Sequence, residues 1–142
     1  MATKTIARDG TGDYNCDGTD DSTQIQQALD YAHSNAGTTL YFKAGTYQID
    51  TPLTIYSNTT IIGEVSSTGA LLAKLQLKAN CNWPNYPLSA SSIFVGGAIS
   101  TVDISYIEID GNSANQSYIA TLESSRWGKS YHNHFYFINN FF

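Results

Sequence analysis

Several residue types that particular protein classes need are scarce in this sequence. Among 142 residues there are only two cysteines, Cys16 and Cys81, too few for the disulfide framework that staples small secreted domains. The sequence leaves open whether these two form a bridge. No run of about 18 consecutive apolar residues occurs, which predicts that the chain contains no transmembrane helix.

Positive charge is also scarce. Seven Lys and Arg residues stand against twelve Asp and Glu residues, which gives a net charge of −5. A protein that binds nucleic acid needs a basic surface to neutralise phosphates, so we expect no nucleic-acid partner. Five of the acidic residues fall within one short segment: Asp9, Asp13, Asp17, Asp20 and Asp21. The acidity is therefore a local feature that needs its own explanation.

The apolar residues that fill helical bundles are outnumbered by small polar ones. Leu, Ile, Val and Phe total 31, whereas Ser, Thr and Asn total 41, a composition that favours short strands joined by polar turns. One helix is predicted, from Ser22 to Asn35, because apolar residues recur there at the spacing i, i+3, i+4, i+7. Asp21 is predicted to cap its first turn together with Gln24, and Gly37 to supply the left-handed residue that stops it.

From Thr38 onward the pattern changes to short apolar alternations separated by Gly, Asn, Ser and Pro, which predicts short strands with frequent corners. Leu40 and Ile61 begin a recurrence at roughly twenty residues, the period of one turn in a parallel solenoid. Asn-Gly turns flanked by alternating residues, the usual signal of a hairpin, are missing. The sequence therefore favours an all-β fold of stacked parallel strands.

Two stretches resemble the N-terminal region of pectin-lyase-like right-handed parallel β-helices. DGTGDYNCDGTDDSTQIQQAL (Asp9 to Leu29) is similar to the Asp-rich segment and capping helix of that family, and AGTYQIDTPLTIYSNTTIIGE (Ala44 to Glu64) to its first coils. Further on, NCNWPNYPL and EIDGNSANQ resemble surface proteins of methanogenic archaea that include disaggregatase. The resemblance implies a right-handed parallel β-helix with one N-terminal capping α-helix, and an enzyme that degrades a cell-surface polysaccharide.

The resemblance also implies a longer fold than 142 residues supply, because complete β-helices of this kind have more coils. We expect a single domain over residues 1–142, with the Asp-rich segment and capping helix in 1–37 and the first coils, about four or five, in 38–142. The chain ends on Phe141 and Phe142 without a polar cap. This predicts an incomplete fragment whose open end pairs with the missing C-terminal part of the polypeptide or with a second copy. An extracellular or cell-surface location is expected.

Asp13, Asn15 and Asp17, followed by Gly18, fit the opening D-x-[DN]-x-[DN]-G of a calcium loop. Position twelve is Gln24 and not the bidentate Glu that completes such a site. A structural calcium ion is therefore one interpretation. The other is that these side chains form Asx turns close to the positive end of the following helix.

Glu108 and Asp110, in the segment IEIDGN, are the predicted catalytic carboxylates. Residues two apart on a strand share one face. Cleavage of a sugar bond needs either two carboxylates or a base that removes a proton beside a uronate carboxylate. Asn112 is a predicted substrate contact at the same corner. The alternative is a simple turn in which Asp110 bonds its own backbone.

His132 and His134 share one side of a predicted strand in YHNHFYFI. They are predicted to act as a general base with its partner or to orient a sugar, and exposed polar decoration is the alternative. Arg126, Trp127 and Lys129 end the preceding loop and are predicted to bind substrate, with the two cations holding uronate or sulfate groups. A solvated loop is the alternative here.

Ten tyrosines offer rings on which a sugar can stack. Six are predicted on the solvent faces of the strands: Tyr41, Tyr47, Tyr56, Tyr106, Tyr118 and Tyr131. A core or corner role for half of them is the alternative. Together these features predict part of an enzyme that cleaves a uronate-containing glycan by hydrolysis or β-elimination. A non-catalytic glycan-binding or structural β-helix protein is the alternative from another class.

Overall fold

The computed structural model describes residues 2–79, 93–95, 99–112, 115 and 130–132. Within these ranges the chain forms one helix, α1 (Ser22–Ser34), which is too short and too polar to cross a bilayer. The strands are β1 (Thr3–Ala7), β2 (Tyr14–Asn15), β3 (Thr39–Phe42), β4 (Gly45–Ile49), β5 (Leu53–Thr54), β6 (Thr60–Gly63), β7 (Ala73–Leu77), β8 (Phe94–Val95), β9 (Asp103–Ser105), β10 (Glu108–Asp110) and β11 (Ser130–His132).

Helix α1 begins at the predicted residue and ends one residue before the predicted end. Its apolar stripe is buried as expected, at Ile25, Ala28, Leu29 and Ala32. Gly37 has a φ of 86°, the left-handed conformation that a helix stop requires. The predicted side-chain cap is wrong. Asp21 occupies the N-cap position without a capping hydrogen bond, because its carboxylate binds other backbone groups.

The first sheet is parallel throughout and runs in the order β2-β1-β3-β6-β9. Leu40 of β3 pairs in register with Ile61 of β6, and Ile61 with Ile104 of β9. The predicted recurrence is confirmed for the first of these steps. Each step contains two further strands, and the second is longer because the connections from β6 to β7 and from β7 to β8 are longer than those from β3 to β4 and from β4 to β5.

The second sheet runs in the order β4-β7-β10-β11, and β5 and β8 form a third. All pairs among β4, β7 and β10, and the pair β5–β8, are parallel. Successive passages of the chain therefore add one strand to each sheet in turn: β3, β4 and β5, then β6, β7 and β8. The predicted parallel pairing of these strands is confirmed. The complete right-handed solenoid, the domain limits and the open end stay predictions.

Strand β11 departs from the parallel pattern. It pairs antiparallel with β10, so that His132 lies opposite Glu108 and Ser130 opposite Asp110. The expectation of parallel stacking is wrong for this strand. Residues 111–129 separate the two strands, so no tight two-residue turn marks the reversal in the sequence.

One apolar cluster joins α1 to all three sheets. It contains Tyr47, which is fully buried and not on a solvent face as predicted. The alternation of β4 explains this, because Tyr47 is in phase with the buried Ile49. The ring packs edge-on against Phe42 with centroids 5.3 Å apart, and the hydroxyl lies 2.7 Å from the carbonyl oxygen of Lys43 and 3.0 Å from that of Ile6. Burial raises the pKa of the Tyr47 phenol.

The other predicted surface tyrosines differ among themselves. Tyr106 is exposed, and Tyr41 and Tyr56 are partly buried. Tyr118 and the side chain of Tyr131 lie outside the described residues.

Cys16 belongs to the apolar cluster, and burial raises the pKa of its thiol to about 12. Cys81, with which Cys16 could form a disulfide bridge, lies outside the described residues, so the bridge stays an open question.

Candidate functional site

The outer face of the second sheet carries the two predicted catalytic carboxylates. Tyr47, Leu75 and Ile109 point into the core from β4, β7 and β10, so their neighbours along each strand point outward. Because the strands pair in register, the outward side chains form two rows across the sheet. The lysine row consists of Thr46, Lys74 and Glu108. The glutamine row consists of Gln48, Gln76 and Asp110.

The lysine row contains a partly buried ion pair between β7 and β10. Lys74 Nζ lies 3.4 Å from Glu108 Oε1, and the two side chains are 33% and 20% exposed. Strand β11 extends the row, because His132 is the register partner of Glu108. The antiparallel pairing thus brings the backbones of two predicted catalytic residues side by side.

The glutamine row is a chain of hydrogen-bonded side chains. Gln48 Nε2 donates to Gln76 Oε1 at 2.9 Å, and Gln76 Nε2 donates to Asp110 Oδ2 at 2.9 Å. The second oxygen, Asp110 Oδ1, accepts a hydrogen bond from the backbone N–H of Asn112 at 2.8 Å. Each member fixes the orientation of the next, so the row presents a rigid polar surface.

The two carboxylates lie on the same face of β10, as predicted, with the buried Ile109 between them. Two residues along a strand span about 6.6 Å at Cα, a spacing comparable to the carboxylate separations of sugar-cleaving enzymes. They differ in what holds them. Among the described residues, Asp110 accepts a hydrogen bond on each oxygen, whereas Glu108 has the ion pair with Lys74 alone. Glu108 is therefore the carboxylate better able to exchange its partner for a ligand.

Asn112 forms the corner after β10. Its φ of 50° lies in the left-handed region, which Asn tolerates better than most residues. Its Nδ2 donates to the carbonyl oxygen of Leu77 at 2.9 Å, and its Oδ1 accepts from Asn115 Nδ2 at 2.7 Å. The N–H of Asn112 also donates to Asp110. These contacts form the turn that the sequence analysis gave as the alternative to a catalytic site at this corner. A role of Asn112 in substrate binding stays a prediction.

The remaining predicted catalytic and substrate-binding residues are His134, Arg126, Trp127 and Lys129, and all four lie outside the described residues. For His132 the backbone alone is described. Their convergence with Glu108 and Asp110 on one groove therefore stays a prediction.

The three predicted calcium ligands each contact a different part of the protein. Asp13 Oδ2 accepts a hydrogen bond from the backbone of β1 at 2.8 Å. Asn15 Oδ1 accepts from the N–H of Gly12 at 2.8 Å. Asp17 Oδ1 accepts from the hydroxyl of Thr19 at 2.7 Å and from its N–H at 2.9 Å, and these bonds lower the pKa of Asp17.

These contacts belong to the turn interpretation of the Asp-rich segment. In the part of the chain that the structure describes, no three His, Cys, Asp or Glu side chains are grouped closely enough to hold a metal ion. Among the described residues, no other carboxylate, thiolate or imidazole therefore lies close enough to Asp13 and Asp17 to complete a metal site with them. The calcium ion stays a prediction.

Asp21 has a structural role that the sequence did not reveal. It is fully buried, and its carboxylate accepts backbone hydrogen bonds from Asp17 (3.1 Å), Gly18 (2.9 Å) and Gln48 (2.9 Å). It thereby fastens the Asp-rich segment to β4 beside the glutamine row. In the sequence an Asp directly before a helix indicates a cap equally well, so no signal distinguished the two roles.

A second carboxyl pair lies at the start of α1. A hydrogen bond with Asp50 raises the pKa of Asp20. Burial alone would raise the pKa of Asp50 as well, but hydrogen bonds from Asp20 and Ser22 outweigh it and lower that pKa. Ser22 Oγ donates to Asp50 Oδ1 at 2.7 Å. Of the two carboxyls, Asp20 is therefore the one whose protonated form the pairing favours.

Gln48 and Gln76 are the site residues that sequence reasoning missed. Their signal is present in the strand patterns: YQI of β4, LQL of β7 and IDG of β10 share one phase. Aligning these three segments by their buried residues places the two glutamines and Asp110 in a single column.

The sequence matches known proteins over most of its length. A family model described as Rhamnogalacturonase A/epimerase, pectate lyase-like, matches residues 10–136. Mannuronan C5-epimerase AlgE3 of Azotobacter vinelandii is 31% identical over 105 residues, which cover 69% of this chain and 5% of that relative. The chain thus spans a small fraction of the relative's length. No solved structure matches the chain. The family match includes both rows of the second sheet.

Proposed function

Because the chain belongs to the pectate lyase-like family of rhamnogalacturonase A and epimerases, we propose that the protein acts on a polysaccharide. The proposed substrate is a glycan that contains uronate residues. The relative named for C5 epimerisation of mannuronan supports this class. The observation that carries the proposal is the lysine row, in which Lys74 pairs with Glu108 on the outer face of the second sheet and both side chains are partly exposed.

The chemistry of the two rows suits a uronate polymer. Lys74 is a cation that can hold a sugar carboxylate in place of Glu108. The amides of the glutamine row donate and accept hydrogen bonds, as sugar hydroxyls require. The rows cross strands spaced by about 4.8 Å, so polar groups repeat regularly in the direction in which an extended glycan would lie.

We infer that the reaction begins with removal of the proton on C5 of a uronate. Lys74 would neutralise the sugar carboxylate and Glu108, once released from Lys74, would accept the proton. If the C4–O4 bond then breaks, its electrons leave with O4, a C4–C5 double bond forms, and the leaving oxygen takes a proton from an acid such as His132. If instead a second acid, on the other side of the sugar ring, donates a proton to the opposite face of C5, the result is epimerisation. Hydrolysis by the pair Glu108 and Asp110 is the second route.

A non-catalytic glycan-binding protein is the second candidate. It is favoured by one observation: among the described residues, both carboxylates already have protein partners. In that case the rows bind the polymer and no bond changes.

We propose that the three sheets are faces of a right-handed β-helix, supported by the family and by the order in which the strands are added. The likeness to disaggregatase, a structural calcium ion, the cell-surface location and a partner at the open end stay predictions.

The binding test compares Lys74→Gln with Lys43→Gln. The two lysines are matched, because Lys43 also pairs with a carboxylate, Asp9, and is 32% exposed. Isothermal titration with oligogalacturonate and oligomannuronate should show binding to the unaltered chain and to Lys43→Gln, and at least about tenfold weaker binding to Lys74→Gln. Equal affinities for the three proteins would overturn the assignment of the lysine row.

The activity test separates the three chemistries on the same polymers. An ultraviolet-absorbing unsaturated product indicates elimination, new reducing ends without it indicate hydrolysis, and a change in the anomeric proton NMR signals without cleavage indicates epimerisation. Glu108→Gln should abolish proton removal but retain binding. Binding without any product would favour the non-catalytic candidate.

A further inference from the structure

A groove separate from the two rows lies between α1 and the segment that leads from β4 to β5. Its volume is about 310 Å³. The lining residues are Ser22, Thr23, Gln26, Gln27, Asp30, Thr51 and Pro52. This volume is at the lower end of ligand sites, the size range of a small polar molecule.

Both walls of the groove are held in place by hydrogen bonds. At one end, Ser22 Oγ donates to Asp50 Oδ1 at 2.7 Å and accepts from the N–H of Thr51 at 3.3 Å. At the other, Gln26 Oε1 accepts from the N–H of Thr54 at 2.8 Å and its Nε2 lies 3.2 Å from the carbonyl oxygen of the same residue. The helix and the strand segment are therefore fixed relative to each other before any ligand binds.

The inside of the groove offers polar groups that remain available. Among the described residues, the hydroxyls of Thr23 and Thr51 and the amide of Gln27 make no side-chain hydrogen bond, and all three residues are exposed. Asp30 uses Oδ1 to accept from Gln26 Nε2 and the Tyr56 hydroxyl, both at 2.9 Å, which leaves Oδ2 available. Two hydroxyls, one amide and one carboxylate oxygen thus line the same space.

An aromatic surface adjoins this polar set. The rings of His33 and Tyr56 stack at 4.0 Å with an interplanar angle of 14°, and Tyr56 is bonded to Asp30. Hydrogen bonding to Asp30 raises the pKa of Tyr56, so its hydroxyl stays protonated as the donor. Tyr56 thus holds Asp30 in place from outside the groove lining, and the amides and the carboxylate inside the groove can bind sugar hydroxyls.

We propose that this groove binds a neutral saccharide unit. The lining contains no cation, and its one charged residue is Asp30. The carboxyl pair Asp20 and Asp50 lies next to the Ser22 end and adds negative charge there. A uronate would be repelled, whereas a neutral pyranoside meets only donors and acceptors. The groove thus selects the opposite class of sugar from the one proposed for the lysine row, and it does not depend on that proposal.

The test is an amide NMR titration of the full 142-residue chain with methyl α-D-mannopyranoside, methyl α-D-galactopyranoside and methyl α-D-glucopyranoside. At least one should give saturable shifts of the Gln27 side-chain amide and of the backbone amides of Thr23 and Thr51. Gln27→Ala and Thr51→Ala should each weaken binding by about tenfold, because each removes a hydrogen-bonding group from an exposed position. Ser34→Ala, on the same helix outside the groove, should leave binding unchanged.

The charge preference is tested with D-galacturonate. The unaltered chain should show no groove shifts with this ligand, and Asp30→Asn, which keeps an acceptor for Tyr56, should gain them. Lys74→Gln should leave the neutral titration unchanged, which separates this inference from the function proposed for the lysine row. Absence of groove shifts with all three glycosides would overturn the inference, and so would binding by Gln27→Ala and Thr51→Ala that is as tight as binding by the unaltered chain.

Discussion

At the scale of single residues, Tyr47 shows how a hydroxyl can be satisfied inside an apolar core. Tyr47→Phe keeps the edge-on contact with Phe42 and removes the hydrogen bonds to the carbonyl oxygens of Lys43 and Ile6. We expect the free energy of unfolding to fall by about 1–2 kcal/mol, the usual cost of leaving a buried acceptor with fewer partners. Urea unfolding measures it. Tyr106→Phe, at a residue that is 51% exposed, should change stability by less than about 0.5 kcal/mol.

The carboxyl pair Asp20 and Asp50 predicts a dependence of stability on pH. The pKa of Asp20 is raised in the folded chain, chiefly by its hydrogen bond to Asp50. Its stabilising contribution is therefore present below the unfolded pKa, near 3.9, and is lost as the pH rises through the raised value. Above the raised pKa of Asp20 both groups are ionised and repel each other.

Asp20→Asn should therefore be more stable than the unaltered chain at pH 7. The gain should be a few tenths of a kcal/mol and no more than about 1 kcal/mol, because Asp20 is exposed and water screens the repulsion. The difference between the two proteins should shrink as the pH is lowered towards 3. Thermal unfolding across this pH range measures it, and a variant less stable at pH 7 would contradict the assignment.

The role of a residue could be predicted from the sequence only where its local pattern is compatible with a single structural role. The shared face of Glu108 and Asp110 follows from strand alternation and is confirmed. Asp21 was predicted as a cap, but its carboxylate accepts hydrogen bonds from the N–H groups of Asp17 and Gly18 in the preceding turn. A third comes from Gln48 in the distant strand β4. That choice depends on tertiary contacts that local sequence does not encode.

At the scale of elements, β6 passes very close to the segment between β9 and β10. A Cβ added at Gly63 would lie 2.2 Å from the carbonyl oxygen of Tyr106, a backbone atom that cannot move alone. Gly63→Ala should therefore force the two segments apart and lower the free energy of unfolding by about 1–3 kcal/mol. Urea unfolding measures the loss. Ser67→Ala, in an exposed turn, is the control and should have no measurable effect.

The helix and strands could be predicted best where the apolar pattern in the sequence extends over many residues. The helix stripe extends over three turns and is confirmed within one residue at each end. The parallel pairing of β3 with β6 was predictable because Leu40 and Ile61 are separated by about the length of one solenoid coil. The reversal into β11 was not, since a long connection carries no turn signature and pairing between distant strands depends on the whole chain.

At the scale of the whole molecule, two surfaces of opposite character are built on one core. The lysine row carries a cation beside a carboxylate, whereas the groove beside α1 carries negative charge alone. Both are positioned by β4, whose outward residues belong to the rows and whose following segment forms a wall of the groove.

The shared core predicts how the molecule opens. Strands β3 and β7 are each paired on both sides, whereas β2 lies at the end of its sheet and has β1 as its one strand partner among the described residues. Native-state hydrogen exchange should therefore show that β3 and β7 amides exchange only through global unfolding, with exchange free energies that fall together as urea is added. The β2 amides should exchange through local opening that urea barely affects.

Because one apolar cluster joins all three sheets, β3 and β7 should give the same exchange free energy. Different values for these two strands would mean that the sheets open independently, and that the cluster does not act as a single cooperative core.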